Sequence, residues 1–313
     1  MNRPDLIGCD AALARVERML SADRLPHAVV IEGPEGSGRR TLARFLAKAA
    51  ACTGEQRPCG ECEACRQENN PDVFELIEEK SVIPVDAVRA LRAQAQEKPV
   101  CSAGRAFLIP DAQRMNPQAQ NALLKVLEEP PAGAVFLLTC EYARQLLDTV
   151  ISRAVVLSLT PPDRQRAVEA VLRRRPDLTP AAVDAAFAGT VGRTLARLEG
   201  EDGYDALAGE AASLLGGEEW KLHRLLRPLE KDRAAQKGLA RAMGALFHDA
   251  LALSMGAPRE TDGLPRLLAG RWAPAQLLAL AEICDAAVQD AERNLGGGLF
   301  VTLFAARLFR AVA

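Results

Sequence analysis

A glycine-rich segment near the amino terminus constrains the fold of this 313-residue chain more than any other feature. It reads Gly-Pro-Glu-Gly-Ser-Gly-Arg-Arg-Thr over residues 33–41, between the apolar run Ala28–Ile31 and a helical pattern that starts at Leu42. A strand, a glycine-rich turn and a helix are the setting of a phosphate-binding loop, because glycines admit close backbone approach and the helix start offers N–H donors. The segment therefore predicts a loop of this kind.

The loop departs from the usual pattern G-x-x-x-x-G-K-[ST] at the two positions that carry chemistry. Arg39 takes the place of the lysine, and Arg40 takes the place of the hydroxyl residue that holds magnesium. The candidate nucleotide-binding residues of this loop are Gly33, Gly36, Gly38, Arg39, Arg40 and Thr41. The segment thus predicts the shape of a phosphate loop without its full chemistry.

Apolar runs alternate with helical patterns over residues 1–160, which predicts an α/β domain with a parallel sheet covered on both faces. A short helix over Ala143–Val150 is expected to lead to Ser152 and Arg153. Pro161 and Pro162 mark a boundary, after which residues 161–203 predict a small helical domain. Residues 204–313 are rich in alanine and leucine at helical spacing and predict an all-helical domain suited to subunit packing.

Four cysteines between residues 52 and 65 form the most specific chemical signal in the chain. Cys52, Cys59, Cys62 and Cys65 follow the spacing C-x6-C-x2-C-x2-C. Four thiolates at this spacing can close a tetrahedral site, and with no position left for water the metal would be structural. We therefore predict a structural Zn²⁺ site over residues 52–65.

Composition excludes some classes of function. The net charge of -2 and the pI near 6.1 argue against a free-standing nucleic-acid binder with a strongly basic face, although a small basic patch or a role inside a larger assembly stays open. No apolar run approaches the length of a membrane span, and the amino terminus lacks an apolar secretion segment. We expect no membrane association and a cytoplasmic location.

The third apolar strand ends in Pro110 and Asp111. A phosphate-loop enzyme normally ends this strand with Asp-Glu, the aspartate supporting magnesium and the glutamate polarising the attacking water. Pro110 has no group that could support a metal. Asp111 could accept a proton, and it is also an ordinary turn residue at a strand end, so both readings stay open.

These segments together resemble the AAA+ clamp-loader family of bacterial DNA polymerase III. The resemblance is carried by the altered loop 33–41, the four-cysteine insertion after its helix, the run Asn-Ala-Leu-Leu-Lys-Val-Leu-Glu-Glu-Pro-Pro over residues 121–131, and Ser152–Arg153. The run at 121–131 is distinctive of that family. The resemblance covers the first 200 residues well, and the last third only through its helical character and position.

The resemblance implies an AAA+ P-loop domain with an inserted zinc module, a helical lid domain over 161–203 and a helical collar domain over 204–313. The family's loop lysine falls on Arg39, its magnesium-binding threonine on Arg40, its metal-supporting aspartate on Pro110 and its catalytic glutamate on Asp111. Losing the metal-holding groups on both sides removes the Mg²⁺ that neutralises charge in phosphoryl transfer. We expect no ATPase activity of the chain's own, and whether ATP or ADP still binds is left open.

The resemblance also implies roles for two further arginines. The family's Ser-Arg-Cys motif reads Ser152-Arg153-Ala154 here, and its arginine acts as a finger on the ATP of a neighbouring subunit. The alternative is that Arg153 only pairs with a carboxylate at a strand start. Arg193 falls in the region of the family's second sensor arginine.

The expected function is that of a non-hydrolysing stator subunit in the complex that loads a sliding clamp onto primed DNA. Its expected partners are gamma/tau-type ATPase subunits and the delta subunit, with clamp and DNA reached through the complex. One alternative is an active motor ATPase of the same family. A second alternative is a protein outside clamp loading in which the cysteine module is the main binding surface.

Overall fold

The computed structural model describes residues 6–67, 69–78, 82–199, 204–256, 263–292 and 297–312. It divides the chain into two compact units. Unit 1 comprises residues 1–178 and 189–194, and unit 2 comprises residues 179–188 and 195–313. No helix within the described ranges is both long enough and apolar enough to cross a membrane.

A five-stranded parallel sheet forms the centre of unit 1. Its strands are β1 (Ala28–Glu32), β2 (Val73–Glu75), β3 (Arg105–Ile109), β4 (Ala134–Cys140) and β5 (Val155–Ser158). Their order across the sheet is β2-β3-β4-β1-β5, with Val30 of β1 opposite Leu138 of β4 and Val156 of β5. Because parallel strands end at the same edge, the loop after β1 and Asp111 after β3 meet at the carboxyl edge of the sheet.

Helices cover both faces of this sheet, as the sequence predicts. Unit 1 contains the helices α1 (Asp10–Ser21), α2 (Arg39–Ala51), α3 (Glu63–Arg66), α4 (Val85–Ala95), α5 (Pro117–Glu128), α6 (Asp148–Ile151) and α7 (Arg164–Arg174). Val29 and Ile31 of β1 pack with α1 and α2, whereas Ala28 and Val30 pack with α4 and α5. This alternation is the consequence of the two-residue period of a strand, and it gives the sheet an apolar core on each side.

The remaining helices lie mostly in unit 2. They are α8 (Pro180–Ala185), α9 (Val191–Leu198), α10 (Asp205–Leu214), α11 (Glu219–Leu226), α12 (Arg233–Ser254), α13 (Leu264–Arg271), α14 (Pro274–Glu292) and α15 (Gly297–Val312). The first residues of α9, up to Thr194, belong to unit 1. Unit 2 has its own core of alanine and leucine side chains, in which the ring of Phe247 meets the edge of Trp272 at a centroid distance of 6.2 Å.

The cysteine module lies between α2 and β2 and is tied to the sheet domain by a buried amide. Cys52 follows the end of α2, and Cys65 lies in α3. Asn70 Nδ2 donates to the carbonyl of Ala64 in α3 at 3.0 Å and to Ser102 Oγ at 3.1 Å. The position of the module therefore depends on hydrogen bonds of the main domain as well as on the cysteines.

A buried carboxylate fixes the segment that leads into β3. Asp72 accepts hydrogen bonds from the backbone N–H groups of Val100, Cys101 and Ser102 at 2.8, 2.9 and 3.0 Å, and its side chain is fully buried. Arg105 Nε lies 3.6 Å from the same carboxylate. Burial raises the pKa of Asp72, but the hydrogen bonds from Cys101, Val100 and Ser102 outweigh it and hold the pKa below its usual value.

The structure contradicts one predicted helix and leaves the predicted division into domains untested. The single helix predicted over Ala143–Val150 is wrong: a 3₁₀ turn over Ala143–Gln145 and α6 are separated by extended backbone at Leu146 and Leu147. The break follows because the side chain of Leu146 is buried and the Leu147 N–H donates to Gln120 Oε1 at 2.7 Å. The division into domains 1–160, 161–203 and 204–313 stays a prediction, and residue 203 lies outside the described residues.

We predict that Asp72→Ala lowers the free energy of unfolding by about 3 kcal/mol, because it removes a buried acceptor from three N–H groups and a charge from beside Arg105. Urea unfolding followed by circular dichroism measures this change. The control is Asp86→Ala, whose carboxylate is exposed and pairs with Arg89 within α4, and which should change stability by less than about 0.5 kcal/mol. Equal effects of the two variants would contradict the prediction.

The same carboxylate sets a direction for the pH dependence of stability. Because the folded pKa of Asp72 lies below the ordinary value of 3.8, its stabilisation is complete at neutral pH and is lost as the pH falls below 3.8 through the folded pKa. The difference in stability between the native chain and Asp72→Ala should therefore shrink on acidification. A difference that stays constant down to the folded pKa would contradict this assignment.

Candidate functional site

The glycine-rich loop connects β1 to α2 at the carboxyl edge of the sheet, as predicted. Gly36 and Gly38 have φ angles of 75° and 92°, which glycine adopts without a steric penalty. Gly38 is the N-cap of α2, and no side chain caps the helix there. The loop borders a cavity of about 390 Å³. Its lining includes Leu6, Gly36, Ser37, Gly38, Arg39, Arg40, Thr41, Asp111 and Thr190. Gly33 lies at the start of the loop, directly after β1.

Asp111 pairs with both arginines that depart from the phosphate-loop pattern. Arg40 Nη2 lies 2.6 Å from Asp111 Oδ2, and Arg39 Nη2 lies 3.6 Å from Asp111 Oδ1. Asp111 has a φ angle of 49°, and its backbone N–H donates to Thr139 Oγ1 of β4 at 3.0 Å, which fixes the end of β3. A protein carboxylate thus pairs with both of the loop's cations and offsets one of their two charges, while Pro110 before it offers no side-chain metal ligand.

Two buried polar atoms of the loop have no hydrogen-bond partner among the described residues. They are Ser37 Oγ and Arg39 Nη1, and the Arg39 side chain is 10% exposed. A buried donor without a partner costs about 1–3 kcal/mol. Both residues border the cavity, so its chemistry suits an anionic group.

The segment 189–194 of unit 1 holds the loop from the side of α9. Thr190 Oγ1 donates to the carbonyl of Glu35 at 2.9 Å, and the Gly192 N–H donates to the carbonyl of Gly36 at 3.1 Å. A Cβ atom on Gly36 would lie 2.6 Å from the backbone nitrogen of Arg193. The structure therefore brings Arg193 beside the loop, and its role as a nucleotide sensor stays a prediction.

Arg153 lies apart from this cavity, directly after α6. Its Nη1 donates to the carbonyl of Thr149 at 2.9 Å and to Ser152 Oγ at 3.2 Å, and its Nη2 lies 2.7 Å from Glu128 Oε1 at the end of α5. The guanidinium borders an open groove of about 670 Å³, which His27 also lines. The ion pair considered as the alternative for this arginine is therefore present, and the side chain remains 35% exposed.

The four cysteines converge as their spacing predicts. Their sulfur atoms all lie within 4.8 Å of one another, and those of Cys52 and Cys62 are 3.9 Å apart. A tetrahedral zinc site with Zn–S bonds of about 2.3 Å requires sulfur separations of about 3.8 Å. The four residues therefore fit one metal ion, with no protein ligand of another type needed.

Backbone amides around the cysteine cluster favour the thiolate form that a metal requires. The N–H groups of Cys62 and Glu61 lie 3.3 and 3.5 Å from the Cys59 sulfur, and these contacts lower the pKa of Cys59. Burial raises the pKa of Cys62, but hydrogen bonds from Thr53 and Cys65 outweigh it and lower the value to about 5. Burial raises the pKa of Cys52, so a cation among the sulfurs is what would keep all four deprotonated.

Sequence reasoning missed three residues that organise these sites. Glu128 was seen only as part of the distinctive run, because spacing does not say that the end of α5 reaches Arg153. Gln120 is a buried glutamine whose oxygen caps α6 through Leu147. Thr190 clamps the loop from a segment more than 150 positions away in the chain. A polar residue on an otherwise apolar helical stripe was the available signal for Gln120.

Residues 8–163 match the family model described as "DNA polymerase III, delta subunit". The delta' subunit of DNA polymerase III from Escherichia coli is 31% identical over 280 residues, which cover 84% of this chain and 82% of that protein. The similarity thus extends through both units.

Other relatives match in part. A DNA polymerase III gamma/tau subunit from Mycobacterium tuberculosis is 33% identical over 172 residues, which cover 52% of this chain but only 30% of that longer protein. A solved structure of a gamma subunit-related protein from Thermotoga maritima superposes with a TM-score of 0.50 at 16% identity, over 96% of this chain and 99% of that one, and supports the predicted fold class. With the delta' match extending over most of both sequences, this chain belongs to the clamp-loader family of DNA polymerase III subunits.

Proposed function

We propose that this chain is a non-hydrolysing stator subunit of the delta' type, in a clamp loader that places a sliding clamp onto primed DNA. Its partners are gamma/tau-type ATPase subunits and a delta subunit, and it supplies Arg153 to the ATP bound by a neighbouring ATPase subunit. The match with a delta' subunit across most of both chains favours this role. The expected cytoplasmic location stays a prediction.

The observation that carries the proposal is the pairing of Asp111 with the two loop arginines. Phosphoryl transfer needs Mg²⁺ to neutralise charge and a carboxylate to orient the attacking water. At this loop Arg40 stands in the place of the magnesium ligand, and the one carboxylate at the strand end, Asp111, is engaged by Arg40 at 2.6 Å. A cavity with that arrangement suits an anion, so ADP or ATP binding is compatible with the proposal while turnover is not.

The exposed guanidinium of Arg153 supports the second half of the proposal. An arginine finger supplied in trans stabilises charge on the transferring phosphate of another subunit's nucleotide. Nη1 of Arg153 is held by Thr149 and Ser152, and the residue lines an open groove. Such a residue is fixed within its own subunit and accessible to a neighbour's phosphate, which is what the role requires.

We also propose that Cys52, Cys59, Cys62 and Cys65 hold a structural zinc ion. The all-sulfur set and its separations suit Zn²⁺, which prefers tetrahedral thiolate coordination. Zinc would cross-link the segment between α2 and α3 and contribute folding energy, without taking part in phosphate chemistry.

The chain alone should not hydrolyse ATP. Arg39→Lys combined with Arg40→Thr should not restore turnover either, because Pro110 still provides no carboxylate for the metal. The ATPase activity of the native chain and of the double variant is measured as the release of phosphate from ATP in the presence of Mg²⁺. Hydrolysis by the purified chain that disappears in Arg39→Ala would contradict the stator role and favour an active motor ATPase, whereas activity that survives Arg39→Ala marks a contaminant.

Arg153→Ala should leave assembly with the ATPase and delta subunits intact while lowering turnover at the neighbouring ATP site at least tenfold, because that site loses a charge that stabilises the transition state. The clamp- and DNA-stimulated ATPase of the reconstituted complex measures this loss, with gel filtration as the test of assembly.

The matched control is Arg18→Ala, which removes an exposed arginine whose Nε donates to the carbonyl of Ala14 in its own helix, and it should not alter the ATPase. Unchanged ATPase in Arg153→Ala would remove this residue from the mechanism. Failure of the chain to assemble with the ATPase subunits at all would favour a protein outside clamp loading.

The purified chain should contain about one zinc ion, and Cys62→Ser should reduce both the zinc content and the thermal stability. Elemental analysis of protein expressed without added zinc gives the stoichiometry. Cys284→Ser serves as the control, because this buried cysteine lies in the core of unit 2 and should leave the zinc content unchanged. A native stoichiometry near zero would reject the metal site.

A further inference from the structure

Glu128 is the residue that holds the tip of Arg153. It is the last residue of α5, and its Oε1 lies 2.7 Å from Arg153 Nη2. The other contacts of the guanidinium run through Nη1, to Thr149 at 2.9 Å and to Ser152 at 3.2 Å. Both terminal nitrogens of the guanidinium are therefore engaged inside this subunit.

The buried side chain of Gln120 joins the two helices that carry or precede Glu128 and Arg153. Gln120, two turns earlier on α5, is buried, and its Oε1 accepts the N–H of Leu147 at the start of α6 at 2.7 Å. Its Nε2 donates to the carbonyl of Met115 at 3.1 Å. One helix thus fixes the start of the arginine-bearing segment through Gln120 and meets its end through Glu128. The proximity of Glu128 to Arg153 follows from this frame.

An arginine that stabilises a phosphate normally uses both terminal nitrogens of its fork. Here that use requires Nη2 to leave Glu128 and Nη1 to leave Thr149 and Ser152, and Glu128 is the one charged partner among the three. The exchange is feasible because the side chains of Arg153 and Glu128 are 35% and 49% exposed, so water screens their attraction and the pair is weak. A carboxylate carries one negative charge, whereas the terminal phosphate of ATP carries more, so the incoming anion outcompetes it.

We propose that Glu128 is the resting partner of Arg153, and that the terminal phosphate of the neighbouring subunit's ATP displaces its carboxylate. This inference rests on the proposed role of Arg153, and it adds the carboxylate that competes with the phosphate for this arginine. Glu128 acts as a positioning residue: it holds the finger while the neighbouring site is empty, and it sets how much ATP is needed to recruit the finger. Its charge, more than its shape, is the property that matters.

Glu128→Gln should therefore lower the ATP concentration for half-maximal ATPase of the reconstituted complex by about two- to fivefold, the range that the loss of one exposed ion pair produces. The maximal rate should stay within about twofold. Removing the competing carboxylate stabilises the phosphate-bound arginine by the same free energy in the ground state and in the transition state. The complex contains this chain, the gamma/tau-type ATPase and delta subunits, the clamp and primed DNA.

Two further variants separate charge from local structure. Glu128→Asp keeps the carboxylate and should return the half-saturating ATP concentration toward the native value. Glu129→Gln removes the neighbouring exposed charge without removing the partner of Arg153, and should leave both kinetic parameters unchanged. A role limited to stability would not move half-saturation downward or be rescued by the shorter carboxylate.

An unchanged half-saturating concentration in Glu128→Gln, while Arg153→Ala still lowers the ATPase, would overturn the inference about Glu128 and leave the proposed function standing. A lower maximal rate in Glu128→Gln with unchanged half-saturation would also overturn it, in favour of a carboxylate that orients the finger during the reaction. Unchanged ATPase in Arg153→Ala would overturn the proposed function, and the inference with it.

Discussion

The ion pairs of Asp111 with Arg39 and Arg40 determine which chemistry is available at the glycine-rich loop. Parallel strands bring the loop after β1 and the end of β3 to one edge, where a phosphate-loop enzyme assembles lysine, hydroxyl group, carboxylates and magnesium. In this chain the same edge holds two guanidinium groups and one carboxylate at 3.6 and 2.6 Å. Asp111 offsets one of the two positive charges of the loop from within the protein, and the segment 189–194 adds hydrogen bonds that hold the loop in place. Protein groups thus hold the backbone of the loop, whereas its side-chain atoms Ser37 Oγ and Arg39 Nη1 have no partner among the described residues.

Helix α5 connects this edge of the sheet to the outer arginine. Its start is capped by Asn116, whose Oδ1 accepts the N–H of Ala119 at 2.8 Å. Its first turn holds the start of α6 through Gln120, and its last residue meets Arg153. A buried polar side chain lowers the stability of the fold unless its donor and its acceptor are both hydrogen-bonded. In Gln120 both the amide nitrogen and the amide oxygen are hydrogen-bonded. Helix α5 is therefore more than a packing helix, because Gln120 and Glu128 both contact a segment that is distant in sequence.

Local pattern predicted much of this architecture, and its failures have physical causes. The strands around Val30, Phe107 and Phe136 are continuous apolar runs, so they were visible as buried strands of a parallel sheet. The cysteine spacing was sufficient to predict that the four sulfur atoms converge. The contacts of Asp111, Thr190 and Glu128 were invisible, because each joins residues that are distant in sequence and depends on how the elements pack. The predicted helix 143–150 failed since a single buried leucine and one hydrogen bond from Gln120 outweighed local propensity.

Arg39 of the loop and Arg153 after α6 differ in how deeply their side chains are buried. Arg39 is 10% exposed, so removing its carboxylate would leave a desolvated charge, and its pairing with Asp111 is correspondingly hard to exchange. Arg153 is 35% exposed and pairs with a carboxylate that is itself half exposed, so water lowers the cost of changing partners. The same side-chain chemistry thus gives a fixed charge in the loop and an exchangeable charge at the surface. For the proposed function this division is useful, because an exchangeable guanidinium at the surface can bind a neighbour's anion that comes and goes.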